Sequence, residues 1–342
     1  MHMADALLSP AVGITMTAVS VAAIGWSVDK LKKYDLSEKM APLMGVAGAL
    51  VFAGQMINFT IPATGSSGHI GGGMLLSGLL GGVPAFIAIT AVLVIQCLFF
   101  ADGGLLALGC NIFNMGVIPC LIIYPLVFKP ILRRGIEYKS LSVASVLAVV
   151  IGLELGAFCV VLQTFFSGIT VLPINTFLFL MLPIHLAIGI IEGIVTAAIL
   201  CFVYNVRPEI IDSAQSGRYP GGILTKKLLV AFVTLTIIVG GFMSLFASSH
   251  PDGLEWAVAR TTEQVFGVGT EPLAEGGLFD VAAIFREKVA FLPDYAFKSD
   301  PGNVAGTSLS GILGAAITFI LAGATGFFIT KMKKIKKVGA NV

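Results

Sequence analysis

GHIGGGMLLSGLLGGVPAFIAITAVLVIQCLFFA, residues 68–101, decides how many helices this chain sends across a membrane. The stretch has 34 residues and contains no Asp, Glu, Lys or Arg. A helix needs about 20 apolar residues to span a bilayer, so the stretch is long for one span and short for two. Gly81-Gly82-Val83-Pro84 in its middle predicts a turn between two helices.

The whole chain shares the apolar character of this stretch. Of its 342 residues, 56% are hydrophobic and 12% are charged, whereas a soluble domain has about 25% charged residues. We therefore predict an all-α polytopic membrane protein surrounded by lipid bilayer. The net charge of +2 gives no reason to expect a nucleic-acid partner. Seven further apolar segments are predicted spans: 8–28, 41–59, 104–128, 141–165, 175–203, 228–248 and 307–330.

Basic residues give the orientation of these spans. Seventeen of the 21 Lys and Arg residues fall in four short segments, 30–39, 129–139, 207–227 and 331–337. Short basic loops stay in the cytoplasm, which predicts that the N-terminus and the loop at 60–68 are outside and the C-terminus is cytoplasmic.

This orientation requires an odd number of crossings between residues 60 and 129. A helical hairpin in 68–101 gives three crossings and nine spans in all, which we predict. A single crossing with a re-entrant segment also satisfies the parity. The polar segment 249–306 is then an extracellular loop between the last two spans, so that a seven-span bundle is followed by a two-span unit.

Two of the four histidines fall in segments that this topology places on the same face. The large residue after Met1 predicts that Met1 is retained, and the first basic residue is Lys30, so a secretory signal is not expected. The Met1 amine, the His2 amide nitrogen and the His2 imidazole are then three adjacent nitrogen donors, and the His69 imidazole offers a fourth. Square-planar nitrogen coordination is typical of Ni(II) or Cu(II). Glycines around His69 favour a tight loop that approaches the N-terminus closely.

Ionisable residues inside predicted spans form a second group of candidates. Glu154 lies in one span, and His185 and Glu192 lie seven residues apart on one face of another. Such residues are rare in membranes and mark pathways or buried networks, and both interpretations remain open. Asn58, near the glycine loop, could orient His69 as a hydrogen-bond partner behind the metal ligand.

Known enzyme motifs are absent from the sequence. There is no GxxxxGKS or GxxxxGKT phosphate loop, no HExxH and no dinucleotide-binding fingerprint. The chain is therefore not expected to be an enzyme or to hydrolyse ATP itself.

Several motifs in order resemble one family. Four of them are similar to the CbiM/NikM family, the substrate-specific membrane components of energy-coupling-factor transporters for cobalt and nickel. These four motifs are MHMADALLSP, QMINFTIPATGSSGH, ADGGLLALGCNIFNMG and HLAIGIIEGIVT. HPDGLEWAVAR resembles the PDGLE-type accessory component, CbiN or NikN. The resemblance implies a fusion, with a metal-binding membrane domain at 1–225 and a PDGLE domain at 226–342.

This resemblance also implies ligands and partners. The family's ligands correspond to Met1, His2 and His69, and its partners are a transmembrane coupling protein and two cytoplasmic ATPase subunits in the plasma (inner) membrane of a prokaryote. Family members commonly begin Met-His-Ile-x-x-Gly, whereas this chain has Ala6 in place of the glycine.

The predicted function is capture of Ni(II) or Co(II) from outside for an ATP-driven importer, and the planar nitrogen set slightly favours nickel. No other cofactor is expected. One alternative is a proton-coupled secondary metal transporter that uses Glu154, His185 and Glu192. Another is a membrane sensor that does not transport.

Overall fold

The computed structural model describes residues 1–33, 35–36, 40–170, 172–219, 226–267 and 277–339. The first seven helices are α1 (Pro10–Lys33), α2 (Met40–Gln55), α3 (Gly73–Leu80), α4 (Gly82–Phe99), α5 (Leu108–Leu132), α6 (Tyr138–Ser167) and α7 (Ile174–Val206). Five more follow: α8 (Pro208–Ser216), α9 (Lys226–Phe246), α10 (Gly253–Phe266), α11 (Leu278–Val289) and α12 (Ala305–Gly339). Four short strands are β1 (Asp35–Leu36), β2 (Phe59–Ile61), β3 (Ser66–Gly68) and β4 (Arg218–Tyr219), and single 3₁₀ turns lie at Asp5–Leu7 and Pro293–Tyr295. Strands β2 and β3 pair antiparallel, and β1 and β4 pair parallel.

The protein is an all-α polytopic membrane protein, as the composition predicts. Within the described residues, seven helices are long and apolar enough to cross a bilayer, and α2 is a shorter apolar helix. Large apolar side chains such as Phe179 and Phe246 are 78% and 74% exposed. Only 17% of the most apolar window of α1 is buried inside the protein, which is the pattern of a helix that faces lipid.

The hairpin of two full spans predicted for 68–101 is wrong. Helix α3 has eight residues, or about 12 Å of helix, which is less than half of a hydrocarbon core of about 30 Å. Only α4, with 18 residues, is long enough to span. Gly81 separates the two helices, and its φ of +77° suits a glycine.

An extended glycine loop replaces the missing helical length. The segment 68–80 runs along α7, because Gly68 packs against Ile188 and Gly78 packs against Leu200. A Cβ atom at Gly68 would lie 2.5 Å from Ile188, so a side chain there would push the loop away from α7. The glycine loop and α3 together therefore run beside α7 from Ile188 to Leu200, which is about 18 Å of that helix.

The last two long helices, α9 and α12, pack against each other and against α2 through glycines. A Cβ atom at Gly311 would lie 2.1 Å from the Gly240 carbonyl, and one at Gly314 would lie 2.0 Å from Phe52. Small residues allow helices to approach closely in membranes. This packing joins α9 and α12 to the N-terminal bundle. The predicted boundary after residue 225 lies outside the described residues, as does 268–276 of the 249–306 segment.

Candidate metal site

The N-terminal strap, residues 1–9, is folded into the bundle. The Met3 amide donates to Asn111 Oδ1 at 2.8 Å, and the Met3 carbonyl accepts from the Gly104 amide at 2.8 Å. The Asp5 carboxylate accepts two more amide bonds from the loop before α5. Met3 is fully buried. These bonds place Met1 and His2 at a fixed position inside the protein.

Met1, His2 and His69 lie together at the end of this strap. The Met1 nitrogen is 3.4 Å from His69 Nε2. The His2 and His69 rings are stacked, with centroids 5.3 Å apart and planes 20° from parallel. The side chains of all three residues are largely buried, with 5%, 6% and 9% exposed respectively. Two segments that are 68 residues apart in the sequence therefore converge as topology predicted.

His69 presents an unprotonated nitrogen to this site. It follows β3, and its Nδ1 lies 3.0 Å from the Ile70 carbonyl oxygen. A carbonyl only accepts hydrogen bonds, so Nδ1 carries the proton and Nε2 carries a lone pair. The Nε2 atom is the one that faces Met1, so His69 is in the tautomer that a metal ligand needs.

A relay of amides positions the imidazole ring of His2. The Gly71 carbonyl accepts from Gln55 Nε2 at 2.9 Å, so Gln55 Oε1 is free to accept from Gln96 Nε2, also at 2.9 Å. Gln96 Oε1 then faces His2 Nε2 at 3.2 Å. His2 Nε2 therefore faces an acceptor oxygen, and Nδ1, the nitrogen nearer the main chain, lies 3.3 Å from Asp102 Oδ1. Burial lowers the pKa of His2 to about 4, so the imidazole is neutral at physiological pH.

Glu192 anchors the glycine loop beneath His69. Its two carboxylate oxygens accept the amides of Gly71 and Gly72, each at 2.8 Å, and its side chain is buried. A carboxylate that accepts backbone amides makes strong charge-assisted bonds. Glu192 therefore holds the glycine segment against α7 by satisfying two amides just ahead of α3 that have no partner within a helix.

Replacing Glu192 with alanine should release this loop. We expect a loss of about 3 kcal/mol or more of stability, because two buried amides lose charged partners, together with weaker metal binding. Thermal unfolding in detergent and nickel titration would measure both effects. Glu154→Ala is the matched control, since Glu154 Oε1 has no hydrogen-bond partner among the described residues. Equal effects of the two substitutions would contradict the anchoring role.

The other predicted residues lie around this site rather than at its centre. His185 shares the inner face of α7 with Glu192, is 1% exposed and bonds to the Met181 carbonyl through Nδ1 at 2.8 Å. Asn58 lines the adjoining cavity, and its carbonyl accepts from Ser248. Asn58 was expected to orient His69, but the hydrogen-bond partner of His69 Nδ1 is the Ile70 carbonyl instead. Glu154 lies in the middle of α6.

Sequence reasoning missed Asp252 as a partner of this site. Its Oδ2 lies 2.5 Å from the Met1 nitrogen and 3.5 Å from His69 Nε2. Burial raises the pKa of Asp252, but the Met1 ammonium and His69 outweigh burial and hold the pKa well below its usual range. The residue belongs to the PDGLE pattern, which was the signal in the sequence that could have drawn attention to it.

A second acidic residue, Asp102, lies beside His2. Asp102 Oδ1 is 3.3 Å from His2 Nδ1, and its other oxygen accepts from the Tyr295 hydroxyl. Burial and the neighbouring Asp102 raise the pKa of Tyr295 well above its usual range, so this tyrosine remains a donor. Both Asp252 and Tyr295 come from the 249–306 segment.

A polar cavity of about 400 Å³ adjoins the histidines. His2 and His69 line one side of it, together with Asp102 and Asp252. Its other lining residues include Glu255 and Asp294, whereas no Lys or Arg lines it among the described residues. The cavity therefore offers a negatively charged space next to the candidate ligands.

Side chains alone do not form a metal centre here. Among the described residues there is no group of three or more His, Cys, Asp or Glu side chains suited to hold an ion. The candidate set depends on the Met1 nitrogen and the His2 main-chain nitrogen. Nitrogens of this kind complete a square that two imidazoles cannot complete by themselves.

Comparisons with known proteins identify two regions of the chain. Residues 2–210 match the CbiM family model, described as the cobalt uptake substrate-specific transmembrane region, and residues 226–331 match the PDGLE domain model. The predicted division after residue 225 stays a prediction, and the two models match on either side of it.

Relatives of similar length carry names for metal transport. The fused nickel transport protein NikMN of Rhodobacter capsulatus is 29% identical over 351 residues, covering 94% of this chain and 96% of the relative. A protein of Archaeoglobus fulgidus, also named for fused nickel transport, is 31% identical over 341 residues, covering 97% of this chain and 98% of the relative. A crystal structure titled as a transition metal transporter has a TM-score of 0.54 at 28% identity, covering 61% of this chain and 94% of that one.

The resemblance carried by the sequence motifs is thus confirmed over almost the whole chain. The chain belongs to the CbiM family of metal-uptake membrane proteins and carries a PDGLE domain behind its CbiM region.

Proposed function

We propose that this chain binds Ni(II) or Co(II) as its transported substrate through four nitrogens: the Met1 amine, the His2 amide nitrogen, the His2 imidazole and the His69 imidazole. Met1, His2 and the deprotonated amide between them close two chelate rings. His69 fills the remaining corner of the square. The proposal requires that Met1 is the first residue of the mature chain, which an intact mass measurement checks.

One distance carries this proposal. Adjacent corners of a square with metal–nitrogen bonds of about 2.0 Å are about 2.8 Å apart. The Met1 nitrogen and His69 Nε2, which would be adjacent corners, are 3.4 Å apart without a metal. A movement of less than 1 Å would bring them to coordinating positions. His69 Nδ1 bonds to the Ile70 carbonyl, which leaves the Nε2 lone pair of the neutral ring for the metal.

The chain would act as the capture subunit of an ATP-driven importer. In this proposal the strap faces the outside of a prokaryotic plasma (inner) membrane and the C-terminus is cytoplasmic. The partners are a membrane coupling protein and two cytoplasmic ATPases, which agrees with the lack of a phosphate-binding loop in the sequence. The chain itself is not an enzyme. Relatives named for nickel transport favour nickel.

Reconstituted vesicles would test the transport part of the proposal. We expect nickel uptake only when the coupling protein and both ATPases are present and ATP is supplied. A vesicle that contains this chain alone should bind nickel without accumulating it. Accumulation driven by a proton gradient in that vesicle would favour the secondary-transporter alternative. The two amide bonds to Glu192 favour an anchoring role for this residue over that of a proton carrier.

Acid should weaken metal binding steeply. Binding removes one proton from the Met1 ammonium and one from the His2 amide, because ligands must be unprotonated. The low pKa of His2, about 4, means that this ring contributes no further proton above pH 5. We expect affinity to fall about a hundredfold for each pH unit, for as long as the amine is protonated in the free protein. Calorimetry in buffers of different ionisation enthalpy counts the protons released, and a count of one would exclude the amide as a ligand.

A further inference from the structure

The segment HPDGLE, residues 250–255, is bound along the edge of the metal site. The Ser67 amide donates to the Pro251 carbonyl at 2.8 Å, and the Ser67 hydroxyl donates to the His250 carbonyl at 2.7 Å. Trp256 Nε1 donates to the Thr64 carbonyl at 2.9 Å. The segment therefore runs beside β3, immediately before His69.

Each further residue of the segment fixes its position. Gly253 lies against α7, where a Cβ atom would be 3.0 Å from Ile188 and 3.2 Å from His185. Leu254 is 2% exposed. Glu255 reaches back to the Asp252 amide at 3.3 Å. The close approach and the buried leucine hold the start of α10 against the wall of the site.

Asp252 lies at the point of closest approach and uses its two oxygens differently. Oδ1 caps α10 by accepting the Leu254 amide at 2.6 Å. Oδ2 accepts from the Met1 ammonium at 2.5 Å and lies 3.5 Å from His69 Nε2. The cap holds the carboxylate still, so its second oxygen remains directed at two of the candidate ligands.

We propose that Asp252, a residue of the PDGLE region, is the counter-ion of the metal site both before and after the metal binds. This inference rests on the function proposed above. Before binding, the carboxylate neutralises the Met1 ammonium. After binding, a divalent ion and one deprotonated amide leave a net charge of +1 on the chelate. The charge that Asp252 faces is therefore the same in both states, and the ammonium or the metal ion keeps this carboxylate as its partner throughout.

The metal-free and the metal-bound protein respond differently when the Asp252 carboxylate is removed. Hydrogen bonds anchor the strap from Met3 onwards, so without Asp252 the free Met1 ammonium can turn toward the polar cavity. A bound divalent ion is held in place by its ligands, and a buried charge that loses a partner is strongly destabilising. Neutralising Asp252 therefore disfavours the loaded state more than the free state and weakens metal binding.

Three variants of the full-length chain separate this role from a structural one. Asp252→Asn removes the charge but keeps the helix cap, because Asn is as good a cap as Asp. Asp252→Glu keeps the charge on a longer arm. Glu263→Gln is the matched control, since it neutralises an exposed carboxylate on the same helix that pairs with Arg260. Nickel affinity at fixed pH, the absorption spectrum of bound nickel and thermal unfolding without metal are measured for each.

We expect Asp252→Asn to bind nickel at least tenfold more weakly, with a single cooperative unfolding transition retained and, at saturation, an unchanged nickel spectrum. Asp252→Glu should bind more tightly than the Asn variant, and Glu263→Gln should match the wild type. Wild-type affinity in Asp252→Asn would overturn the inference, as would a Glu variant no better than the Asn variant. If the wild type itself bound no nickel, the proposed function would fail. If the wild type bound nickel, and binding were lost in His69→Ala but not in Asp252→Asn, only this inference would be overturned.

Discussion

An extension of ten Gly and Ser residues ahead of Met1 should abolish tight nickel binding. The Met1 nitrogen then becomes a peptide amide within the chain, and the chelate ring between the amine and the His2 amide is lost. Four-ligand zinc sites contribute about 10–16 kcal/mol, or about 2.5–4 kcal/mol for each ligand. Loss of the amine with its ring should therefore weaken binding about a thousandfold. The extension also removes the ammonium that Asp252 pairs with at 2.5 Å.

The length of the extension matters for this experiment. A single added residue would place the histidine third, and an amine, two amides and an imidazole would then form a four-nitrogen square without His69. Such a variant could bind nickel at an artificial site. Ten residues move the new amine too far from His2 to close the same rings.

A protease site at the end of the extension supplies the control. Cleavage that leaves Met1 as the first residue should restore binding to the wild-type level in the same sample. The same extension fused after Val342 should have no effect. Tight binding by the uncleaved protein would contradict the role of the amine.

Replacing His69 with alanine should be nearly as damaging. The imidazole supplies the corner of the square that the strap cannot supply, and the loss of one ligand weakens binding about 100- to 1000-fold. The fold should remain, because the glycine loop is held by the bonds of Gly71 and Gly72 to Glu192 rather than by the histidine ring. Nickel titration of the purified variant measures the loss, and its thermal unfolding checks the fold.

His250→Ala is the matched control for this substitution. His250 lines the same cavity but is exposed, and its main chain rather than its ring makes the contact with Ser67. We expect wild-type affinity in this variant. A His69→Ala protein that binds nickel like the His250→Ala protein would exclude His69 as a ligand and leave the square incomplete.

For residues 68–101, the sequence predicted the helices but not the glycine loop that precedes them. Apolar composition predicted helices there, and Gly81 does separate two of them. Composition could not reveal that residues 69–72 would remain outside any helix, because Glu192, more than a hundred residues away, binds the Gly71 and Gly72 amides. Helix α3 begins only after this contact and has eight residues.

Asp252 illustrates the same limit for the candidate site. Its motif is visible in the sequence, but the partner of the carboxylate is not. The sequence gives no reason to place a residue after the ninth helix against the first residue of the chain. Packing of Gly253 against His185 and Ile188 brings Asp252 close to Met1.

The sequence by itself determined the membrane class, the family and the three residues of the candidate site, because composition and short motifs are local properties of the chain. Only the tertiary structure decided the tautomer of His69, the anchoring role of Glu192 and the position of Asp252 beside Met1. These features depend on hydrogen bonds and ion pairs between segments that are distant in sequence. Such bonds form where burial excludes water and each polar group must find a partner within the protein.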